Sequence, residues 1–366
     1  MAGRLIKRFV SLKTPLYDMH LLKEARFETK NDYWMPRFYN STQIDDEYLS
    51  CVNNSVIYDQ GAMGQVVISG KDRLEFINHI SVSDFSSLYP GCPSHSLLLN
   101  DNGHILDRII IAQNDDSSRI ISFNKNTEKY IYKCREDFIK KGKNVEVETL
   151  AESLISIQGP KSKTFLGSAL RHIRPYSFSS KHCFLTAFKA FNNEWAFITW
   201  LDFSRHSGFL ISMKTEKIPM LVDFLQIISK KQAQIASLET QRIMRIEAGF
   251  WNEEELIVPI NPIEVNWKLT EEKLKSTSWI GAEAVKQLLL KENHDKLVKF
   301  EINGSHHGLH GSNIFDGFKR QAGTILSIVY HPIQKKTIGF CIIKQKYITE
   351  PKKLYIVGEV PLNIIM

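Results

Sequence analysis

The sequence predicts an α+β fold that ends in a small β-barrel or sandwich. Its 366 residues exceed what one hydrophobic core usually holds, so we expect two or three domains. Over most of the chain, strands and hairpins alternate with amphipathic helices, which favours α+β layers over a doubly wound parallel sheet. From Leu297 onward, short strands follow one another at close spacing with no long helix between them, as in a small barrel.

The first α+β unit is predicted from the first third of the chain. Residues 64–80 indicate a strand, a glycine turn and an amphipathic helix. Residues 97–112 indicate a hairpin, because a polar Asn-Asp-Asn-Gly turn separates two apolar runs. A strand at 118–123 and a helix at 127–141 complete the unit.

A second unit repeats this alternation. Its predicted strands are 153–158, 184–190, 195–201 and 208–213, and its helices are 161–170 and 216–230. A helix at 234–249 then ends at Gly249, an acidic Asn-Glu-Glu-Glu loop follows, and a charged helix is predicted at 282–293. The predicted barrel strands are 297–303, 322–330, 336–345 and 353–357.

The composition is that of an ordinary globular protein, with 43% apolar and 24% charged residues. No apolar run is long enough for a membrane span, so no membrane partner is expected. The net charge of +7 is spread along the chain without a zinc-finger spacing, so nucleic acid is not expected as a partner either. The five widely spaced cysteines indicate a reducing compartment.

Residues 1–13 form a basic N-terminal segment. The stretch "MAGRLIKRFVSLKTPLY" carries basic residues and no acid, which is typical of a mitochondrial presequence and equally of a frayed basic terminus. The first alternative places the protein in the mitochondrial matrix, and the second places it in the cytoplasm.

Asp107 is the one acid between the apolar runs of the predicted hairpin. An isolated acid of this kind can lie at the solvated end of a strand or can be buried for a functional reason. The segment "GSHHGLHG" offers the densest histidine cluster, with His306 and His310 four residues apart, but its glycines favour a loop over a metal-binding helix.

Several segments, in this order along the chain, resemble the glycine-cleavage T-protein family of tetrahydrofolate-dependent aminomethyltransferases. They are "KTPLYDMH" (13–20), "YDQGAMGQ" (58–65), "LLLNDNGHILDRII" (97–110), "SIQGPKS" (156–162), "RIEAGF" (245–250), "NPIEVNW" (261–267) and "WIGAEAV" (279–285). The resemblance implies a cloverleaf around a folate channel, with two interleaved α+β domains over residues 14–285 and a C-terminal β-barrel over residues 290–366.

The resemblance also implies a reaction. A one-carbon unit would pass from an aminomethyl group on lipoyl carrier protein to tetrahydrofolate, with release of ammonia and without a metal. Asp107 stands at the position of the acid that faces the folate, where it would position and polarise the reacting groups. The implied cofactor-binding residues are Met63, Leu106, Asn124, Arg205, Leu210, Gln241 and Arg242.

Some of these positions depart from the family pattern. Leu210 replaces the glutamate that holds the pterin amine edge, Gln241 replaces a folate-facing arginine, and Arg108 replaces a second acid. A charge-assisted bond of the kind lost at Leu210 contributes about 1.5–3 kcal/mol. We therefore expect weaker or shifted folate binding, with Arg205, His206 or Arg242 as substitutes.

Three functions stay open from the sequence. The first is a working aminomethyltransferase, the second is a non-catalytic paralogue that acts as a binding or assembly factor, and the third is a tetrahydrofolate-dependent demethylase. Asp107 favours the first function, and the changes at Leu210 and Gln241 favour the second.

Overall fold

The structure is a computed structural model that describes residues 11–86, 90–170, 183–189, 191, 194–201, 206, 208–349, 354–356 and 360–365. The strands of the first half are β1 (Leu12–Lys13), β2 (Ala25–Lys30), β3 (Tyr33–Tyr39), β4 (Ser55–Asp59), β5 (Gly64–Ser69), β6 (Pro93–Leu99), β7 (Ile105–Gln113), β8 (Ser117–Ser122), β9 (Glu146–Thr149) and β10 (Glu152–Gln158). Those of the second half are β11 (Cys183–Ala187), β12 (Trp195–Leu201), β13 (Gly208–Lys214), β14 (Ala233–Ile235), β15 (Lys296–Asn303), β16 (Asn313–Asp316), β17 (Gln321–His331), β18 (Lys336–Ile343), β19 (Leu354–Ile356) and β20 (Val360–Ile365).

The helices separate these strands into groups. They are α1 (Tyr17–Leu22), α2 (Ile44–Asn53), α3 (Arg73–Ile80), α4 (Thr127–Lys140), α5 (Ser162–Ala169), α6 (Ile218–Ile228), α7 (Leu238–Glu247), α8 (Glu271–Lys275), α9 (Ala282–Leu289) and α10 (Lys346–Thr349). Among the described residues, no helix has the length and apolar character needed to cross a membrane.

The strands form four sheets, and the predicted α+β class with a C-terminal barrel is confirmed. A small sheet has the order β1-β3-β2, a second has β6-β7-β8-β5-β9, and a third has β11-β12-β13-β10-β4-β14. The C-terminal strands close into a barrel in the order β15-β18-β17-β16-β19-β20. Most described pairs are antiparallel, with β1–β3 and β4–β14 as the parallel ones.

Helices cover one face of each of the two larger sheets. The apolar stripes of α3 and α4 pack on the sheet that contains β7, and α5 and α6 pack on the sheet that contains β10. The opposite faces of these sheets meet in an apolar cluster that includes Ile110, Phe123, Phe197 and Leu210. Helix α7 packs with Ile243 and other apolar side chains against the barrel. The space between the two sheets, α7 and the barrel holds the site described below.

Two predicted helices are shorter in the structure. The helix predicted at 234–249 begins at Leu238, because residues 233–235 pair with β4 as the parallel strand β14. The helix predicted at 282–293 ends at Leu289. The small N-terminal sheet was not predicted, since its strands pair across turns and charged positions that carry no clear apolar alternation.

Gly159 connects β10 to α5 at a point where only glycine fits. Its φ is +124°, and a Cβ atom there would lie 2.6 Å from the carbonyl oxygen of Asn54 and 2.8 Å from Cα of Ser55. Gly142, after α4, also has a positive φ of +79° but has nothing within 4 Å of a Cβ position. A comparison of alanine substitutions at these two glycines therefore separates the cost of backbone strain from the cost of steric overlap.

We expect Gly159→Ala to destabilise the protein far more than Gly142→Ala. Strain at such a φ costs about 1–3 kcal/mol, and overpacking against the backbone adds about 1–3 kcal/mol. Gly142→Ala should cost only the strain of a left-handed residue, about 1–2 kcal/mol. The midpoints of urea unfolding, compared at constant m-value, measure the loss of stability in both variants. Equal losses for the two variants would contradict the close approach at Gly159.

Candidate functional site

Asp107 is buried, although an isolated acid between apolar runs can also lie at a solvated strand end. The burial along β7 alternates, with Leu106 exposed by 37% and Asp107 fully covered. Its Oδ2 accepts hydrogen bonds from the Thr127 hydroxyl at 2.7 Å and from the Asn124 amide at 3.0 Å. Its Oδ1 is buried and has no hydrogen-bond partner. Asp107 therefore keeps one acceptor available to a ligand.

The surroundings of Asp107 favour its protonated form. Burial raises the pKa of the Asp107 carboxyl well above its usual range, and the nearby negative charge of Glu253 raises it further. The hydrogen bonds from Thr127 and from the backbone amides of Asn124 and Arg108 act in the opposite direction. A carboxyl with this balance can carry a proton at a higher pH than an ordinary aspartate and can exchange it with a ligand.

A small cavity, here called the inner cavity, lies between β3, the loop after β4, and α7. It is bordered on its apolar side by Met63, Phe123 and Leu238 and on its polar side by Gln241, Arg242 and Glu253. Its free volume is about 20 Å³, which is room for about one water molecule. Asp107 does not border this cavity but is linked to its wall. It accepts a bond from the amide of Asn124, the residue after Phe123 in the chain.

A larger outer cavity of about 410 Å³ adjoins the inner cavity. Arg242, Glu253 and Glu254 border both cavities. The outer cavity is also bordered by the loop that carries His306 and His310, as the glycines of this segment predict. Across the described ranges, no group of three His, Cys, Asp or Glu side chains is placed to hold a metal ion.

The polar side of the inner cavity belongs to a group of ion pairs, here called the ion cluster, which is mostly buried apart from the half-exposed Arg37. Its cations are Lys30, Arg37, Arg242 and Arg245, and its carboxylates are Glu28, Glu239, Glu253, Glu254 and Glu255. Glu254 is its centre, since it accepts bonds from Arg242 at 3.0 Å and from Lys30 at 3.0 Å. Although burial alone would raise it, these cations hold the pKa of Glu254 well below its usual range.

Arg108 links the strand of Asp107 to the segment that carries the acidic residues. Its guanidinium lies 3.7 Å from the ring centroid of Phe250 and donates to the carbonyl of Trp251 at 3.2 Å. Asn252 follows and caps the turn Glu253–Glu255 with its side chain. This chain of contacts holds Glu253 close enough to Asp107 to raise its pKa.

The loop that carries Met63 is held by a second buried network. Asp59 accepts bonds from the Thr14 hydroxyl at 2.5 Å and from the Gly61 amide at 2.8 Å, and it pairs with His20 at 2.9 Å. The other ring nitrogen of His20 bonds to the hydroxyl of Tyr39 at 2.9 Å. The segment "KTPLYDMH" thus contributes to the site by fixing this loop.

The structure brings together only some of the residues that the sequence proposed for cofactor binding. Met63, Gln241 and Arg242 border the inner cavity. Asn124 contacts Asp107 through its backbone amide, while its side chain caps the turn before α4 by accepting a bond from the Asn126 amide.

The other three proposed residues do not border the inner cavity. Leu210 is buried in the apolar cluster between the two large sheets. Leu106 is partly exposed on β7, at a shift in the register between β6 and β7. Arg205 lies outside the described residues.

Sequence reasoning missed the ion cluster. Lys30, Arg245, Glu253 and Glu254 were not proposed as site residues, although two signals pointed to them. Arg242 and Arg245 are three residues apart on one helix, and three consecutive glutamates follow the end of that helix. Arginines in the last turns of a helix and glutamates in the loop after it have opposite charges, and such a pattern indicates ion pairs between the helix and that loop.

Comparisons with known proteins agree with this architecture. Residues 16–273 match the family model described as the GCVT N-terminal domain. An aminomethyltransferase of Thermotoga neapolitana is 26% identical over 91% of this chain and 90% of its own length. A mitochondrial aminomethyltransferase of Flaveria anomala is 24% identical over 94% of this chain and 85% of its own length.

The structural comparison extends over nearly the whole chain. The crystal structure of glycine cleavage system aminomethyltransferase T from Bartonella henselae has a TM-score of 0.86, covers 97% of both chains and is 19% identical in sequence. This likeness establishes the fold. Since the family model matches well over half of the residues, the chain belongs to the glycine-cleavage T-protein family.

Proposed function

We propose that this protein transfers a one-carbon unit from an aminomethyl group on lipoyl carrier protein to tetrahydrofolate, with release of ammonia. The observation that carries the proposal is the buried carboxyl of Asp107, with one oxygen held by Thr127 and Asn124 and the other without a partner. The aminomethyltransferase relatives supply the reaction class.

The chemistry of the inner cavity fits tetrahydrofolate, whose pterin ring carries several N–H donors. On the polar side of this cavity, Glu253 Oε2 is a buried acceptor without a partner, and Asp107, which does not border the cavity, offers a second such acceptor in Oδ1. Met63 and Phe123 offer an apolar wall for the ring. Because the free volume is about 20 Å³, ring binding requires a lining side chain to withdraw. Arg242 borders the outer cavity as well and has space to move into.

The residues of this chain would act on protons and charge. When bound, tetrahydrofolate supplies the nitrogen that accepts the one-carbon unit. Asp107 Oδ1 accepts the proton that this nitrogen loses, and the raised pKa of Asp107 makes that acceptance favourable. Before it takes this proton, the ionised Asp107 carboxylate would stabilise the positive charge that develops on the transferred carbon. Thr127 and the Asn124 amide keep the carboxyl in one orientation.

Partner and compartment follow from the same proposal. A lipoyl carrier protein is the expected donor, since the reacting carbon arrives on its lipoyl arm. The basic segment 1–13 and the mitochondrial relative from Flaveria anomala support a mitochondrial matrix location. We also retain the division into residues 14–285 and 290–366 as the proposed domain organisation.

The small inner cavity and the buried Leu210 favour a second candidate, a non-catalytic paralogue with the same fold. Titration calorimetry of the full chain with tetrahydrofolate tests the choice between the two functions. Micromolar binding, followed by ammonia release from aminomethyl-lipoyl carrier protein, supports the enzyme. Absence of binding at millimolar ligand supports the paralogue.

We expect Asp107→Asn to abolish transfer while the protein stays folded. The amide keeps the acceptor for Thr127 and Asn124 but cannot take the proton, so kcat should fall by about 100-fold or more. The folded protein raises the pKa of Asp107, so ionised Asp107 destabilises it as pH rises through that pKa. The variant should therefore be at least as stable as the wild type at neutral pH. Thermal melting and the ammonia-release assay measure both effects, and retained turnover would contradict the assignment.

We expect Thr127→Val to shift the acid limb of the pH–rate profile to higher pH. The Thr127 hydroxyl stabilises the ionised carboxylate and lowers the pKa of Asp107, so its loss raises that pKa further. The profile of kcat/KM against pH reports this change. Ser156→Ala provides a comparison, since Ser156 is a buried hydroxyl on β10 that bonds to Gln60 and Gln158. An acid limb that stays in place in Thr127→Val would show that the limb does not report Asp107.

A further inference from the structure

The three consecutive glutamates after α7 have different environments. Glu255 is bonded to Arg245 at 2.8 and 3.0 Å and to the amide of Asn252 at 2.7 Å. Glu254 is bonded to Lys30, Arg242 and Arg245. Glu253 has one contact with a cation, from Lys30 Nζ to its Oε1 at 3.1 Å, and its Oε2 has no partner. The fold thus uses two of these carboxylates in full and leaves one oxygen of the third without a partner.

Glu253 is nevertheless buried at the cavities. Its side chain is 9% exposed and borders both the inner and the outer cavity. Lys30 Nζ pairs with Oε1 of Glu253 at 3.1 Å and also donates to Glu254 at 3.0 Å, so Glu253 shares its one cation, and its Oε2 stays without a partner. A buried acceptor that stays unbonded is costly, and ligand sites are where such acceptors are retained.

The charges of the ion cluster point to the kind of group that Glu253 would bind. Four cations face five carboxylates, and Asp107 adds a further acid within electrostatic reach. Burial raises the pKa of Glu253, and the charge of Glu254 raises it further. A group with N–H donors or positive charge would relieve this excess of acids, whereas an anion would increase it.

We propose that Glu253 is a ligand-binding residue that accepts hydrogen bonds from an N–H donor group of the substrate beside Asp107. This inference rests on the proposed function, in which two sources supply such a group: the amino-bearing pterin ring of tetrahydrofolate and the amine of the aminomethyl donor. A carboxylate with an open oxygen suits either, because an N–H bond to an ionised acceptor is stronger than one to a neutral acceptor.

The test uses the full chain with Glu253→Gln, which keeps the shape and removes the charge and one acceptor. If the pterin ring is the source, the Kd for tetrahydrofolate by calorimetry should rise about tenfold or more. If the aminomethyl group is the source, that Kd should stay constant and the KM for aminomethyl-lipoyl carrier protein should rise about tenfold or more. Either result supports Glu253 and identifies its ligand.

Glu301→Gln is the matched control. Glu301 lies on β15 in the barrel, accepts bonds from Lys336 at 2.9 Å, and borders neither the inner nor the outer cavity. Its substitution removes one negative charge, and both constants should stay within about twofold of the wild type. A Glu253→Gln variant that matches this control in both constants overturns the inference.

Failure of the proposed function is distinguishable from failure of this inference. A wild type that binds neither tetrahydrofolate nor the aminomethyl carrier overturns both. A wild type that binds, together with an unaffected Glu253→Gln variant, overturns the role of Glu253 alone. If near-UV circular dichroism shows that Glu253→Gln does not fold, Glu253→Asp decides, since it keeps the charge and retracts the carboxylate. Glu253→Asp should raise either the Kd for tetrahydrofolate or the KM for aminomethyl-lipoyl carrier protein. If both constants stay unchanged, the role of Glu253 is overturned.

Discussion

The buried ion cluster is the constraint on which the site depends. It joins β2, α7 and the turn Glu253–Glu255, which are distant in sequence, through Glu254 and its cations. Breaking one partner out of a buried pair costs about 3–5 kcal/mol, because the remaining charge stays out of water. The three segments are therefore held in one arrangement, and the polar border of the inner cavity follows from it.

Asp107 contrasts with the paired acids of this cluster. Glu254 and Glu255 are fully bonded to cations, whereas Asp107 is desolvated and keeps one oxygen without a partner. A stable fold tolerates this unfavourable burial when the group has a task that ordinary solvation would prevent. The proximity of Glu253 strengthens the effect, so the proton affinity of Asp107 is set jointly by β7 and by the turn after α7.

Much of the fold could be predicted because its signals are local. The hairpin around Gly103 and the helices α3 and α4 follow from turn residues and from apolar periodicity within about a dozen neighbours. Local signals failed where pairing is non-local. Residues 233–235 continue an apolar helical pattern, yet they form a strand because β4 offers a free edge in space. The small N-terminal sheet was not predicted for the same reason, because its strand pairing is also non-local.

The sequence by itself determined the family, the single acid within an apolar hairpin and the loss of the expected glutamate at Leu210. Only the tertiary structure decided which acids are available to a ligand. Glu253, Glu254 and Glu255 are the same residue type in one run. They differ because Arg245 reaches them from the last turn of α7, while Lys30 reaches them from a sheet far away in the chain. Desolvation and charge pairing depend on distances in space, and local sequence patterns do not encode those distances.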